Sequence, residues 1–284
     1  MIAHHICAIS HKAVDQAVGE LRKKMDMERV FKRDILSLFN RMANEFRASV
    51  AVLGVAPRSS VYIPAWEAIL QTQYARVQRG FKGEVESQNP GLKRYSWELK
   101  QVDPIVELAL SQWADDTAPT QAREIAQTND RDMRRSVDDA RNALAEQDDT
   151  IATGAALATV ATQILRNRLM GRVGTIAQTE TQNAAEATKQ ITAEGIAGDV
   201  PFPVRGQVQR PDVVQVRMNK RWQTVGDDRV RPSHVMAGMG APIALDATFQ
   251  LTGGTLRFAG DVALGASLGE VINCRCSTNY RTVR

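Results

Sequence analysis

Between Glu28 and Gly54 the apolar residues Val30, Phe31, Ile35, Leu38, Met42, Phe46, Val50 and Leu53 recur at helical intervals. That period lays them along one stripe of a long helix, and the glycine marks its end. Pro64 suits the first turn of a second helix, where an amide has no intrahelical partner to lose. Trp66, Ile69, Leu70, Tyr74 and Val77 would form its inner face. Asp103-Pro104 predicts a third start, the aspartate acting as cap, with Ile105, Leu108, Ala109 and Trp113 following at helical spacing. Further helices are predicted over about 120–147, 152–169 and 174–194. The last two are rich in alanine and threonine, small enough to let helices approach closely. The run IATGAALATVATQIL at 151–165 is too short and too polar to cross a bilayer, so it predicts a buried helix and no stable membrane insertion.

Around GIAGDVPFPVRG, residues 195–206, glycine and proline end the helical texture. Beyond it the period becomes two. Val214, Val216 and Met218 alternate with polar neighbours, and Arg221 to Val225 forms a second extended run after Asn219-Lys220. FQLTGGTLRF predicts a hairpin turning at Gly253-Gly254, with Leu251 opposite Leu256, Phe249 opposite Phe258 and Gln250 opposite Arg257. The fold class expected is α+β: a mostly helical region over 1–200, then a small β-rich module over 204–284.

Charge sharpens that division. Residues 204–284 hold 11 Lys and Arg against 6 Asp and Glu, whereas 1–203 hold 25 against 26. The local excess favours a polyanionic neighbour such as duplex DNA, bound through phosphates without reading bases. No leader is expected in MIAHHICAISHKAVDQ, so the three cysteines should begin reduced.

Two of those cysteines, Cys274 and Cys276, lie in VINCRCST. Read as a strand, it points Ile272, Cys274, Cys276 and Thr278 to one face, with the two β-carbons too far apart for a disulfide. Two thiolates and the imidazole of His234 could meet at a zinc ion, with Asp227, Asp228 or Asp261 as fourth ligand. Alternatively the thiols pack as small hydrophobes. The Walker loop, H-E-x-x-H and the dinucleotide fingerprint do not occur, so an enzyme is not expected.

The pattern Lys220, Trp222, Thr224, Asp227 or Asp228, Arg229, Val230, Arg231, Pro232, Ser233 and His234, followed by E-V-I-N-C-R-C, closely resembles the phage Mu protein F family of minor head, or head morphogenesis, proteins. The segment R-x-x-T-I-A-Q-T-E-T at 172–181, containing Glu180, is similar to the helix that precedes the β module there, so the resemblance covers about 160–284. It implies a structural protein of a tailed bacteriophage, located in the virion at the portal vertex or capsid interior. Its partners would be the portal protein, the major capsid or scaffold protein, and packaged DNA. Residues 1–200 would then be the docking region. Many relatives carry cysteines where this chain has Arg231 and His234, and a histidine where it has Val271, so no obligatory cofactor is implied. Zinc at His234, Cys274 and Cys276 is the alternative. Asp228, Arg231, His234 and Asn273 are instead expected to form a hydrogen-bonded network that holds the module together. The competing functional classes are an enzyme delivered with the genome, using His234 and Asp228 as base and orienter, and a head-tail adaptor.

Overall fold

The computed structural model describes residues 11–146, 154–198 and 216–283, with the side chains of 11–17, 94–99 and 101 excepted. Four long helices form the body: α1 (His11–Leu53), α2 (Ile63–Phe81), α4 (Ser96–Ala145) and α5 (Gly154–Ala197), with the short α3 (Glu84–Gln88) between α2 and α4. The predicted stripe is realised in α1, where Phe31, Ile35, Leu38, Met42, Phe46 and Val50 are buried and Gly54 follows at φ +68°. Leu53, at the end of the stripe, is exposed. Trp66, Leu70, Tyr74 and Val77 of α2 complete the centre of the core, with the Trp66 ring edge-on to Phe39 at 5.5 Å. Alanines of α4 and α5, among them Ala118, Ala122, Ala161 and Ala177, are buried at the helix contacts, where short side chains permit close approach.

Several predicted boundaries move. Helix α4 begins before Asp103-Pro104 and runs through both Pro104 and Pro119. Asp103 lies inside the helix and does not act as a cap; Lys82, the residue after α2, holds its carboxylate at 3.1 Å. The buried positions of that stretch are Val102, Val106, Ala109, Leu110 and Trp113, while Leu108 faces outward. The two helices predicted over 152–169 and 174–194 are one, α5, since Leu169, Val173, Ile176 and Ala177 stay on a single buried stripe across the glycines. At its start α5 is only half covered: Ala158, Ala161, Thr162 and Leu165 are inside, but Ala155, Thr159 and Gln163 are exposed. The class is α+β, with the β module following the helices as predicted.

In that module β1 (Met218–Gln223) is the centre of a three-stranded antiparallel sheet, between β2 (Ile243–Ala244) and β5 (Ser277–Thr282). Lys220 pairs with Tyr280 and Trp222 with Thr278. The strand runs without interruption through Asn219-Lys220, so the two predicted extended runs are one; Val214 lies outside the described residues. The hairpin joins β3 (Phe249–Leu251) to β4 (Gly254–Leu256), but its register pairs Phe249 with Leu256 and Gln250 with Thr255. The turn is Thr252-Gly253, and Gly254 takes φ +137°, where an added Cβ would meet the Cα of Ala266 at 2.8 Å. A shift of two residues leaves every side chain on its predicted face, so Phe249 and Leu256 are still buried together. Phe258 lies beyond the hairpin and packs into the helical core instead.

Candidate functional site

Pro232 opens the short helix α6 (Pro232–Met239), and the extended conformation of Arg231 before it turns the chain inward. His234, in the first turn, is consequently only 1% exposed and lies edge-on to the Trp222 ring at 5.0 Å, with Phe249 on Trp222 in turn at 5.2 Å. Its Nδ1 faces two sulfurs, Cys276 Sγ at 3.4 Å and Cys274 Sγ at 3.7 Å. Its Nε2 lies 2.9 Å from Glu270 Oε2. That carboxylate also accepts from Ser233 Oγ at 2.9 Å and from the amide of Gly253 at 3.0 Å. Burial alone would raise the Glu270 carboxyl, but Ser233, Gly253 and His234 outweigh it and hold the group below its usual value. An ionised carboxylate can only accept, so Nε2–H donates to it.

The cysteines do not lie on a regular strand. Residues Leu268–Val271 form a helical turn, α7, and Asn273 at φ +56° reverses the chain before β5 begins at Ser277. Alternation still holds from Cys274 onward, so both thiols point into the module core with Trp222, Phe249 and Leu256. Both are free. The hydrogen bond to Cys276, then burial, push the Cys274 thiol well above its usual value, while the same bond and the Trp222 indole hold Cys276 below, against burial.

Other predicted positions fall around this cluster. Arg231 donates to the carbonyl of Ile272. Asn273 is exposed, and its backbone ties to α5: the amide donates to Thr179 Oγ1 at 3.2 Å and the carbonyl accepts from Gln178 at 3.1 Å. Asp228 is exposed and does not reach His234, while Asp227 pairs with Arg275 and Arg229, and Asp261 with Arg257. Among the described residues the only candidate metal-ligand cluster is therefore His234, Cys274 and Cys276. Glu180 sits inside the helical core, accepting from the Tyr74 hydroxyl at 2.6 Å, and burial raises it to about 7.

Lys220 belongs to a second arrangement that residue spacing did not announce. Every residue of α5 from Glu180 to Ile196 is buried, although more than half are polar. These side chains bond the bundle to the module. Glu186 receives Lys24 Nζ at 2.8 Å and Lys189 Nζ at 2.9 Å on one oxygen, and the amide of Thr278 at 2.8 Å on the other. Gln182 accepts from Lys24 and donates to the carbonyls of Cys276 and Ala259. Gln190 accepts from the Tyr280 hydroxyl at 2.9 Å and from Lys220 Nζ at 3.3 Å, and donates to the carbonyl of Leu245. Burial lowers Lys220 to about 8. Glu20 of α1 accepts from Lys189 and Gln88, and the lysines pull its carboxyl down despite burial.

Glu270 stands within the E-V-I-N-C-R-C motif, so its position was visible although its role was not. Glu186, Lys189 and Gln190 carried no comparable signal. What the fold and cluster define is a helical bundle clamped to a small β module through a buried polar helix, with a histidine-dithiol core at the module's centre. Comparison with known protein families, with curated proteins and with solved structures found no match in any of the three. No helix among the described residues is long and apolar enough to cross a membrane.

Proposed function

We propose that this chain is a minor head protein of a tailed bacteriophage, related to the phage Mu protein F family and built into the head at the portal vertex or capsid interior. One observation carries the reading: Trp222, His234, Cys274 and Cys276, drawn from motif segments some 40 residues apart, meet in one buried cluster. Residues that a motif shares for architectural reasons should behave in that way. Docking chemistry is present on the bundle. Val52, Leu53, Val55 and Val61 are exposed where α1 gives way to α2, a surface suited to a portal or capsid subunit. Nearby, Arg58, Arg123, Arg131 and Arg134 line a cleft of about 670 Å³ whose single acidic residue is Asp130, a surface suited to phosphates.

Mass spectrometry of particles from cells carrying this gene tests the proposal. The polypeptide is expected in procapsids that lack DNA and in filled heads. Its absence from both would overturn the reading, and appearance only after packaging would favour a head-tail adaptor. Affinity for duplex DNA should fall steeply with added salt and be equal for unrelated sequences.

A second reading, an enzyme delivered with the genome, draws on the alignment of Cys276, His234 and Glu270 as thiol, base and orienter. Burial of the thiols and the ring disfavours it, because Cys276 and His234 are only 3% and 1% exposed and present almost no surface to a substrate. Turnover of NAD, DNA or RNA that is abolished by His234→Ala would establish it.

A further inference from the structure

Within the module core, the imidazole Nδ1 has a single bonding direction in the ring plane and faces two sulfurs at 3.4 and 3.7 Å, one more partner than one hydrogen bond can use. A tetrahedral zinc ion has bonds of about 2.0–2.1 Å to nitrogen and 2.3 Å to sulfur, which places a nitrogen and a sulfur ligand about 3.5 Å apart along one edge. The two observed separations bracket that edge, and all three ligand atoms lie within 4.8 Å of one another. The ring is also oriented as a ligand would be. Its other nitrogen is held by Glu270, which Ser233 and the Gly253 amide lock in turn, and such a carboxylate-histidine pair fixes the tautomer and raises the basicity of the metal-facing nitrogen.

We propose that His234 Nδ1, Cys274 Sγ and Cys276 Sγ bind one zinc ion, with Glu270 as the outer carboxylate. A cleft of about 250 Å³, lined in part by Cys274, lies between α1, α5 and the segment after β1 and offers the ion a way in. On binding, each thiol gives up its proton to solvent and the ring coordinates through the Nδ1 lone pair, so no oxidant or reductant takes part. The ion joins the first turn of α6 to the chain entering β5, elements that otherwise meet through buried packing and a few hydrogen bonds. This site is independent of the head-protein reading: either can fail alone.

The reduced, full-length chain, purified from zinc-supplemented cells, should carry one zinc per chain by elemental analysis. After removal of zinc, titration with cobalt(II) should develop the intense visible absorption of a tetrahedral site and the near-ultraviolet sulfur-to-cobalt charge-transfer band. Both should vanish in the Cys274→Ser/Cys276→Ser double variant. Glu270→Gln should keep the stoichiometry and lose about 10–100-fold in zinc affinity. Cobalt that gives no thiolate band with the native chain overturns the site, whatever the variants do. Zinc retained equally by the double variant overturns it as well. Should the double variant fail to fold, the native titration decides alone.

Discussion

The inner face of α1 and the buried end of α5 are equally removed from water, yet they are held by different forces. Along α1 the contacts are Phe31, Ile35, Phe39, Met42, Phe46 and Val50, whose burial is non-directional and tolerant of small rearrangements. Along α5 from Glu180 to Ile196 the contacts include amides, carboxylates and ammonium groups aimed at particular atoms of α1, α2 and the β module. A polar contact is stabilising only when its partners are in place, and a missing partner costs far more than the contact contributes. The difference teaches that the apolar face supplies cohesion while the polar helix sets the register of module on bundle. Gln182, Glu186 and Gln190 lie four residues apart, so one helix face addresses the 276–280 segment at successive turns.

The sharpest test sets one substitution in each region side by side. Phe46→Ala should cost about 3–5 kcal/mol by opening a cavity, seen as a lower denaturation midpoint of the whole chain. Glu186→Ala should cost a similar amount, roughly 3–5 kcal/mol, by leaving two buried lysines and the Thr278 amide without their shared acceptor. Hydrogen exchange distinguishes them. Glu186→Ala should deprotect β5 first, and uniform deprotection by both variants would break the division of labour.

Next in size is a stabilising change. Burial raises Glu180 to about 7 from an ordinary value of 4.5, so the fold favours its protonated form. Its contribution is fully present below pH 4.5 and is lost as pH rises towards 7, leaving a cost on the order of a few kcal/mol at pH 8 at about 1.4 kcal/mol per unit. Glu180→Gln, which can still accept from Tyr74, should therefore raise the midpoint at pH 8 and leave it nearly unchanged at pH 4.5. Equal effects at both pH values would place the charge elsewhere.

Smaller effects are expected at the module core. With metal removed, Cys274→Ser and Cys276→Ser should each cost about 1–3 kcal/mol, since a hydroxyl is harder to bury than a thiol. Cys7→Ser, outside the described residues, should cost less, and equal midpoints for all three would refute the burial argument. Smallest of all, Arg29→Ala at the exposed pair with Asp26 should change stability by no more than about 0.5 kcal/mol.

Much of this architecture was legible from residue order. Helical periodicity located α1 and α2 and their buried residues, and alternation put both thiols on the core face. The failures have physical causes. Asp103-Pro104 reads as a helix start because aspartate caps well, but the helix is already under way from Ser96 and Lys82, just beyond α2, takes the carboxylate. Gly253-Gly254 reads as a turn because either glycine can adopt positive φ, and only packing against Ala266 selects Gly254 and moves the turn back one residue. At the cluster, His234, Cys274 and Cys276 were identifiable by chemistry, whereas Glu270 required the fold to bring α7 beneath α6. The polar face of α5 was unreadable because its side chains resemble those of an exposed helix until both of its neighbours are present.

What the sequence determined by itself is therefore the local order: which segments coil, which alternate, where the apolar stripes run, and which residues could bind a metal. Those properties depend on neighbours a few positions away. Tertiary structure alone decided that a polar helix end would be an interior, that Glu186 rather than water would receive Lys24 and Lys189, and that Glu270 would orient His234. Such outcomes depend on the desolvation and pairing of groups far apart along the chain, and a charge announces its partner only once the fold has removed the water between them.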